Sequence, residues 1–388
     1  MVFSKLIFIY LAIFPLGQII RLRISVLGSS YPLHPVDIVA GLILLMFLLT
    51  QQRQPYFFRY ILGFLIVSAF SLLLSLSLFT TKEILSGGFY FLRLAAYTSI
   101  IPVVWSINKS KINKKVLYNC LLMTTIAVAV FGWIQYLWLP DLRDLKYIGW
   151  DDHYFRMFGT FLDPAFFGLI IVFGALIALS RYISKNKKYI LIVIFMLFTL
   201  LLSYSRASYL AFLAGLIALL YNSRKKLIYA LVIIFALFAI SLPFLPRNIS
   251  EAAKLERTYS VFAKLHNWKE TAVIIRKNPL FGVGYNNLCA ARMKYLGLGS
   301  FDSHACSGSD SSLLFVLATT GISGFIMFVY MLFQISKRVQ MDQYGRAFKA
   351  CGAALLIHSL FVNSLFYSWI LGFMGILLAI SIKEKSGE

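Results

Sequence analysis

Charge-poor apolar windows recur along this sequence almost from end to end, and they limit its possible folds more than any other feature. A helix needs about 20 apolar residues to cross a bilayer, or about 17 where the membrane is thin. Twelve windows stand at roughly 5–20, 37–50, 60–79, 84–105, 116–138, 165–180, 189–204, 207–221, 227–243, 312–333, 350–366 and 368–382. With 60% hydrophobic residues and only 13% charged, too little polar surface is left for soluble domains. An aromatic content of 16% argues against disorder, and four cysteines are too few for a disulfide-built secreted scaffold. The expectation is an all-α polytopic membrane protein, one integral membrane domain over residues 1–388 with about twelve transmembrane helices. No small-residue cleavage site precedes Ile19-Ile20-Arg21, so the first window reads as a retained helix and not a signal peptide.

The net charge of +22 would point to nucleic acid in a soluble protein, but here the placement of the charges decides. With the N-terminus inside, the short inner connections carry 20 bases, among them Lys109, Lys111, Lys114 and Lys115, against the three acids Asp342, Glu384 and Glu388. Lysine and arginine accumulate on the cytoplasmic side of bacterial-type membranes, so the excess is mostly topological and both termini are expected to be cytoplasmic. The expected partner surface is membrane lipid, with no nucleic acid. The run 189–221 is basic at both ends, with Arg206 in its middle. A hairpin satisfies both ends and puts Ser205-Arg206 at a slightly submerged outer tip, since each arm of about 15 residues reaches only about 23 Å.

Two outer connections break the terse pattern, one from Pro140 to Pro164 and one over 244–311, between the ninth and tenth windows. Within the second, Leu255, Tyr259, Phe262, Leu265, Trp268, Ala272 and Ile275 recur at steps of three and four, the period of an amphipathic helix. This helix is expected to lie on the outer membrane face, stopped by Asn278-Pro279 and turned back at Gly282-Val283-Gly284. Charges inside a bilayer are costly, which singles out Arg93 in the fourth window, about eight residues deep and in need of a partner, and Arg206. Arg156 and Arg276 complete a set of guanidiniums suited to a diphosphate, because arginine stays charged, binds phosphate bidentately and can stabilise a leaving diphosphate without a metal. Candidate general bases on the outer side are Asp163, His266, Asp302, His304 and Asp310, with helix capping the bland alternative for Asp310. Five scattered histidines, without HxxxH spacing, carry no metal signature, and no cofactor is expected.

Several phrases together resemble the O-antigen ligase and polymerase superfamily of bacterial polysaccharide assembly. They are Arg156-Met157-Phe158-Gly159-Thr160-Phe161-Leu162-Asp163-Pro164, Ser205-Arg206-Ala207-Ser208, Trp268 followed by the run from Arg276 to Gly284, and the run from Asp310 to Gly324. The stretch from His358 to Phe366 resembles the family's penultimate span. The resemblance implies a glycosyltransferase C-like membrane enzyme of twelve spans in the bacterial inner membrane, with its active site on the outer face. It also implies metal-independent, inverting transfer from an undecaprenyl-diphosphate-linked glycan, and a chain-length-regulating membrane protein as a further partner. Arg206 matches the arginine of the family's Ser-Arg motif, and Arg276 matches more loosely.

Two departures are informative. Many members carry an arginine four residues before the tryptophan, where this chain has Lys264, which cannot make the bidentate contact. Ligases of the family place a histidine eleven residues before the glycine, and here Asp310 stands eleven residues before Gly321, while His304 falls six residues earlier. An aspartate can deprotonate a sugar hydroxyl as diphosphate leaves, so the first expectation is a polymerase joining lipid-linked repeats. The alternatives are an O-antigen ligase transferring to a lipid A core or other acceptor and, on composition alone, a lipid-linked glycan flippase or secondary transporter. The expected site is therefore Asp310 and His304 for catalysis, with Arg206, Arg276, Arg93, Arg156 and Lys264 on the donor diphosphate. Cys289 and Cys306 share the outer loop, where a disulfide is permitted but free thiols fit as well.

Overall fold

The computed structural model describes residues 2–26, 29–50, 54–110, 113–148, 150, 153–184, 186–221, 258–299 and 306–382. The chain is a helical membrane protein. Its helices, in order, are α1 (Val2–Ile13), α2 (Pro35–Leu49), α3 (Phe58–Leu74), α4 (Thr81–Ser110), α5 (Lys114–Trp138), α6 (Pro164–Ile183), α7 (Ile190–Leu202), α8 (Arg206–Leu220), α9 (Thr258–Lys277), α10 (Leu288–Leu296), α11 (Ser312–Arg338), α12 (Gln343–His358) and α13 (Ser368–Ser381). Eleven of the twelve apolar windows overlap one of them, and the window 227–243 lies outside the described residues. Among the described residues, five stretches are long and apolar enough to cross a membrane: Phe58–Ser77, Thr81–Ile107, Lys114–Trp138, Pro164–Ile183 and Ser312–Arg338. Four further apolar helices are shorter.

Helix α6 stands at the centre. Asp163 caps it by accepting the N–H groups of Ala165 and Phe166 at 2.6 and 3.3 Å, and Pro164 takes the first turn, where no N–H is needed. Its side chains from Phe167 to Ala178 are buried all round, the pattern of a helix enclosed by other helices. Around it α8 packs on α12, α4 on α2 and α13, and α3 on α11.

The helical class holds, and among the described residues short strands occur only in the connections. Strands β1 (Leu22–Val26) and β2 (Ser29–Leu33) form one antiparallel ribbon, and β3 (Asp141–Leu142) and β4 (His153–Tyr154) a shorter one. A correction concerns the window 350–366, because α12 runs from Gln343 and stops at His358. The apolar stretch after it is a loop whose Phe366 packs against Phe64, Phe315 and Phe328. Apolarity there reports packing of partly buried side chains, which a loop satisfies as well as a helix once its polar groups are paired.

The turn after α9 is built into α11. Gly321 interrupts that helix with φ 67°, and the freed backbone is satisfied by the 279–283 segment: Val283 N–H donates to Ala318 O at 3.0 Å and Ile322 N–H to Pro279 O at 2.8 Å. Gly282 also has positive φ, and a β-carbon on Gly321 would lie 2.3 Å from the Leu280 carbonyl oxygen. Both glycines are required by this close approach of two backbones.

Candidate functional site

Helix α9 ends at Lys277, one residue before the expected stop at Asn278-Pro279. Its orientation adds something the periodicity did not show. Phe262 and Leu265, from the apolar stripe, are exposed at 68% and 42%, whereas Thr271 and Ile274 on another face are fully buried. The face turned to the rest of the protein is thus in part the polar one, carrying Lys264, Asn267 and Thr271, and it meets the segment that leads into α11.

Asp310 lies in that segment. It does not cap α11, because Ser311 does, its hydroxyl accepting the Leu314 N–H at 3.5 Å. The capping alternative is therefore corrected, and the Asp310 carboxylate is left for other contacts. Its Oδ1 stands 3.6 Å from Lys264 Nζ, with the two side chains 40% and 35% exposed. Lys264 also donates to Phe361 O at 2.6 Å, which ties the pair to the loop after α12. Asn267 Oδ1 accepts the Asp310 N–H at 2.9 Å. Of the other base candidates, Asp163 is occupied as the α6 cap and His266 Nε2 stands 3.0 Å from Glu270. Asp302 and His304 lie outside the described residues.

The loop 359–367 links this pair to the turn between α7 and α8. His358 is fully buried, with Nδ1 on the Ser364 hydroxyl at 2.5 Å and Nε2 at 3.4 Å from the Ser208 hydroxyl. Ser208 donates to Ser205 Oγ at 2.8 Å, and Ser205 caps α8, so that Arg206 is the first residue of the helix and exposed to solvent or headgroups. Arg156 supports the same turn from below, donating to the carbonyls of Ser203 and Tyr204 at 2.9 and 3.2 Å. Arg156 and Arg206 are thus brought to one turn, and Asp310 and Lys264 to one contact.

The remaining two arginines are placed elsewhere. Arg93 finds its partner in Asp37 of α2, at 3.1 Å, with the acid only 4% exposed. Asp37 also accepts from Tyr97 Oη and the His34 N–H, each at 2.9 Å, and Arg93 donates to Pro32 O. Arg276 stands in the last turn of α9, twelve residues from Lys264 or about 18 Å along the axis. Among the described residues no three His, Cys, Asp or Glu side chains gather in one place.

A disulfide joins Cys289 to Cys306, with their Cα atoms 4.8 Å apart, so these two cysteines are not free thiols. Beside it Arg292 donates to Cys306 O and pairs with Glu270 at 3.4 Å. Burial draws its guanidinium below the ordinary value, and the charges of Glu270 and Asp310 offset this only in part.

With this geometry in place, comparison with known families is informative. A family model described as O-antigen ligase matches residues 191–329. The matched segment, a little over a third of the chain, supports a relation to the O-antigen ligase and polymerase superfamily. The O-antigen ligase match takes in Arg206, Lys264, Asn267, Arg276, Asp310 and the Gly321 kink, and leaves Arg93, Arg156 and His358 outside it. Members of that family are glycosyltransferase-like enzymes. No curated protein matches the chain. Sequence reading missed Asp37 and Asn267. Asp37 stood at the edge of its window, and Asn267 carried only a weak signal, being three residues after Lys264 and off the apolar stripe.

Proposed function

We propose that this protein polymerises undecaprenyl-diphosphate-linked oligosaccharide repeats on the outer face of the inner membrane. The observation that supports this best is the state of Asp310: its helix already has a cap, its backbone is held by Asn267, and its carboxylate is partly exposed beside Lys264. In the proposed reaction Asp310 takes the proton of an acceptor hydroxyl, whose oxygen bonds to the anomeric carbon of the donor sugar. The bond from that carbon to the diphosphate oxygen breaks with inversion, and the electron pair leaves on the phosphate. Arg206, with Arg156 beneath it and Lys264 beside the base, compensates the charge that develops on the leaving group. Arg93, held by Asp37, and Arg276, at the far end of α9, are the less central members of the donor set.

A second reading, transfer of the glycan to a lipid A core or other acceptor, is favoured by the matched family's description as O-antigen ligase. One experiment separates the two and tests the base. Labelled lipid-linked repeats are supplied to the protein in liposomes, with lipid-linked chains or lipid A core as acceptor. Asp310→Asn is expected to lower the rate by about 10²–10⁴-fold in a protein that still folds. Full activity of this variant would remove Asp310 from the chemistry, and product found only on the core would replace polymerisation by ligation.

A further inference from the structure

Residues 306–311 form neither helix nor strand, so the position of Asp310 has to be imposed by neighbours. One face of α9 does this, because residues 264, 267 and 271 follow the i, i+3, i+7 spacing that aligns side chains along a helix. Asn267 Oδ1 accepts both the Asp310 N–H at 2.9 Å and the Ser309 hydroxyl at 3.4 Å. Thr271 Oγ1, fully buried and bonded back to Asn267 O at 2.7 Å, lies 3.3 Å from Ser309 Oγ. At the other end of the segment, Cys306 is fixed covalently to α10, whose Arg292 reaches Glu270 of α9. The segment is thus clamped between α9 and α10, with Asn267 directly on the residue that carries the carboxylate.

We infer that Asn267 is a positioning residue for the transfer reaction: its side-chain oxygen fixes the Asp310 backbone, and with it the direction from which the carboxylate meets the acceptor hydroxyl. The inference rests on reading Asp310 as the base. Asn267 engages the Asp310 amide and leaves the carboxylate oxygens available, so its role differs from that of Lys264, which touches the carboxylate itself. Reacting groups must be held close to their productive geometry, and a displacement of about 1 Å can cost about 100-fold in rate. The Asn267 contact therefore acts on turnover and not on donor affinity.

The test compares Asn267→Ala and Asn267→Asp in the full-length protein in liposomes, with labelled lipid-linked repeats. Asn267→Ala removes the acceptor and is expected to lower kcat by about 10- to 100-fold with the donor KM within about twofold of wild type. Asn267→Asp keeps an oxygen acceptor at the same reach while losing the amide donors, and is expected to return kcat to within about threefold of wild type. Hydrogen–deuterium exchange provides a readout that needs no glycan: the peptide over 306–312 is protected in wild type and exchanges faster in Asn267→Ala. Should Asn267→Ala not fold, Thr271→Val tests the same clamp, with faster exchange and a severalfold lower kcat expected. Wild-type exchange and kcat in Asn267→Ala would overturn the inference, as would a raised donor KM with unchanged kcat, which would make Asn267 a donor-binding group. If wild-type protein transfers no glycan while exchange still responds to Asn267→Ala, the proposed reaction fails and the clamp on the 306–312 segment stands.

Discussion

Asp310 and Ser311 are neighbours at the head of α11, and only the serine caps it. Sequence could locate the pair, through the eleven-residue register to Gly321, but both residue types are good caps and nothing local separates them. Arg93 repeats the lesson. Its depth was legible from the apolar residues around it, whereas its partner Asp37 lies on a different helix, and only packing brings the two to 3.1 Å. Arg206 was the more legible, since basic clusters flanking an apolar run demanded a tip and the tip had to be near the arginine. It is exposed at the first position of α8, so a lysine there keeps the charge and leaves packing alone. Loss of the planar, bidentate contact to phosphate should nevertheless lower the initial rate of Arg206→Lys by about tenfold or more at unchanged thermal stability. Equal rates for the two proteins would show that Arg206 acts only as a distant charge.

The elements show where periodicity informs and where it stops. The stop after Lys277 and the turn at Gly282 were readable because proline and glycine act locally. That the turn enters a break in α11 was not readable, because the contact joins residues about 40 apart in sequence. The helical period of α9 was legible from Tyr259 onward, Leu255 lying outside the described residues, yet the clamp on Asp310 comes from a face the pattern did not mark. The end of the window 350–366 was missed for a related reason, since hydropathy cannot distinguish an apolar loop packed on helices from an apolar helix. The kink gives a direct test of this interlock. Gly321→Ala places a methyl group where the Leu280 carbonyl now lies, at a φ of 67° that L-residues rarely adopt. The two effects together should destabilise the protein by about 2–4 kcal/mol, read as a lower midpoint of thermal unfolding in detergent. Substitution of Gly352, which has open space around its β position, is the matched control and should change little.

For the whole molecule, the helical membrane class was fixed by composition and window length, because a bilayer leaves no other use for so many apolar runs. Helix count is harder, since α7 and α8 have 13 and 15 residues, short of a full crossing. The proposed topology, with both termini inside, rests on the 20-to-3 split of bases over acids. A single cysteine at position 225 in a cysteine-free background should resist an impermeant maleimide applied to intact cells and react once they are opened. Labelling of intact cells would invert the hairpin and move the Asp310 segment away from the expected side. On the proposed topology, the bond between Cys289 and Cys306 also orders events in time. Translation and insertion deliver a chain whose 306–311 segment is held by noncovalent contacts alone, and only an oxidant beyond the membrane can add its covalent end. Newly inserted protein would then pass through an interval with that segment tethered less firmly, and a cell short of that oxidant would hold correctly threaded copies waiting for one covalent bond.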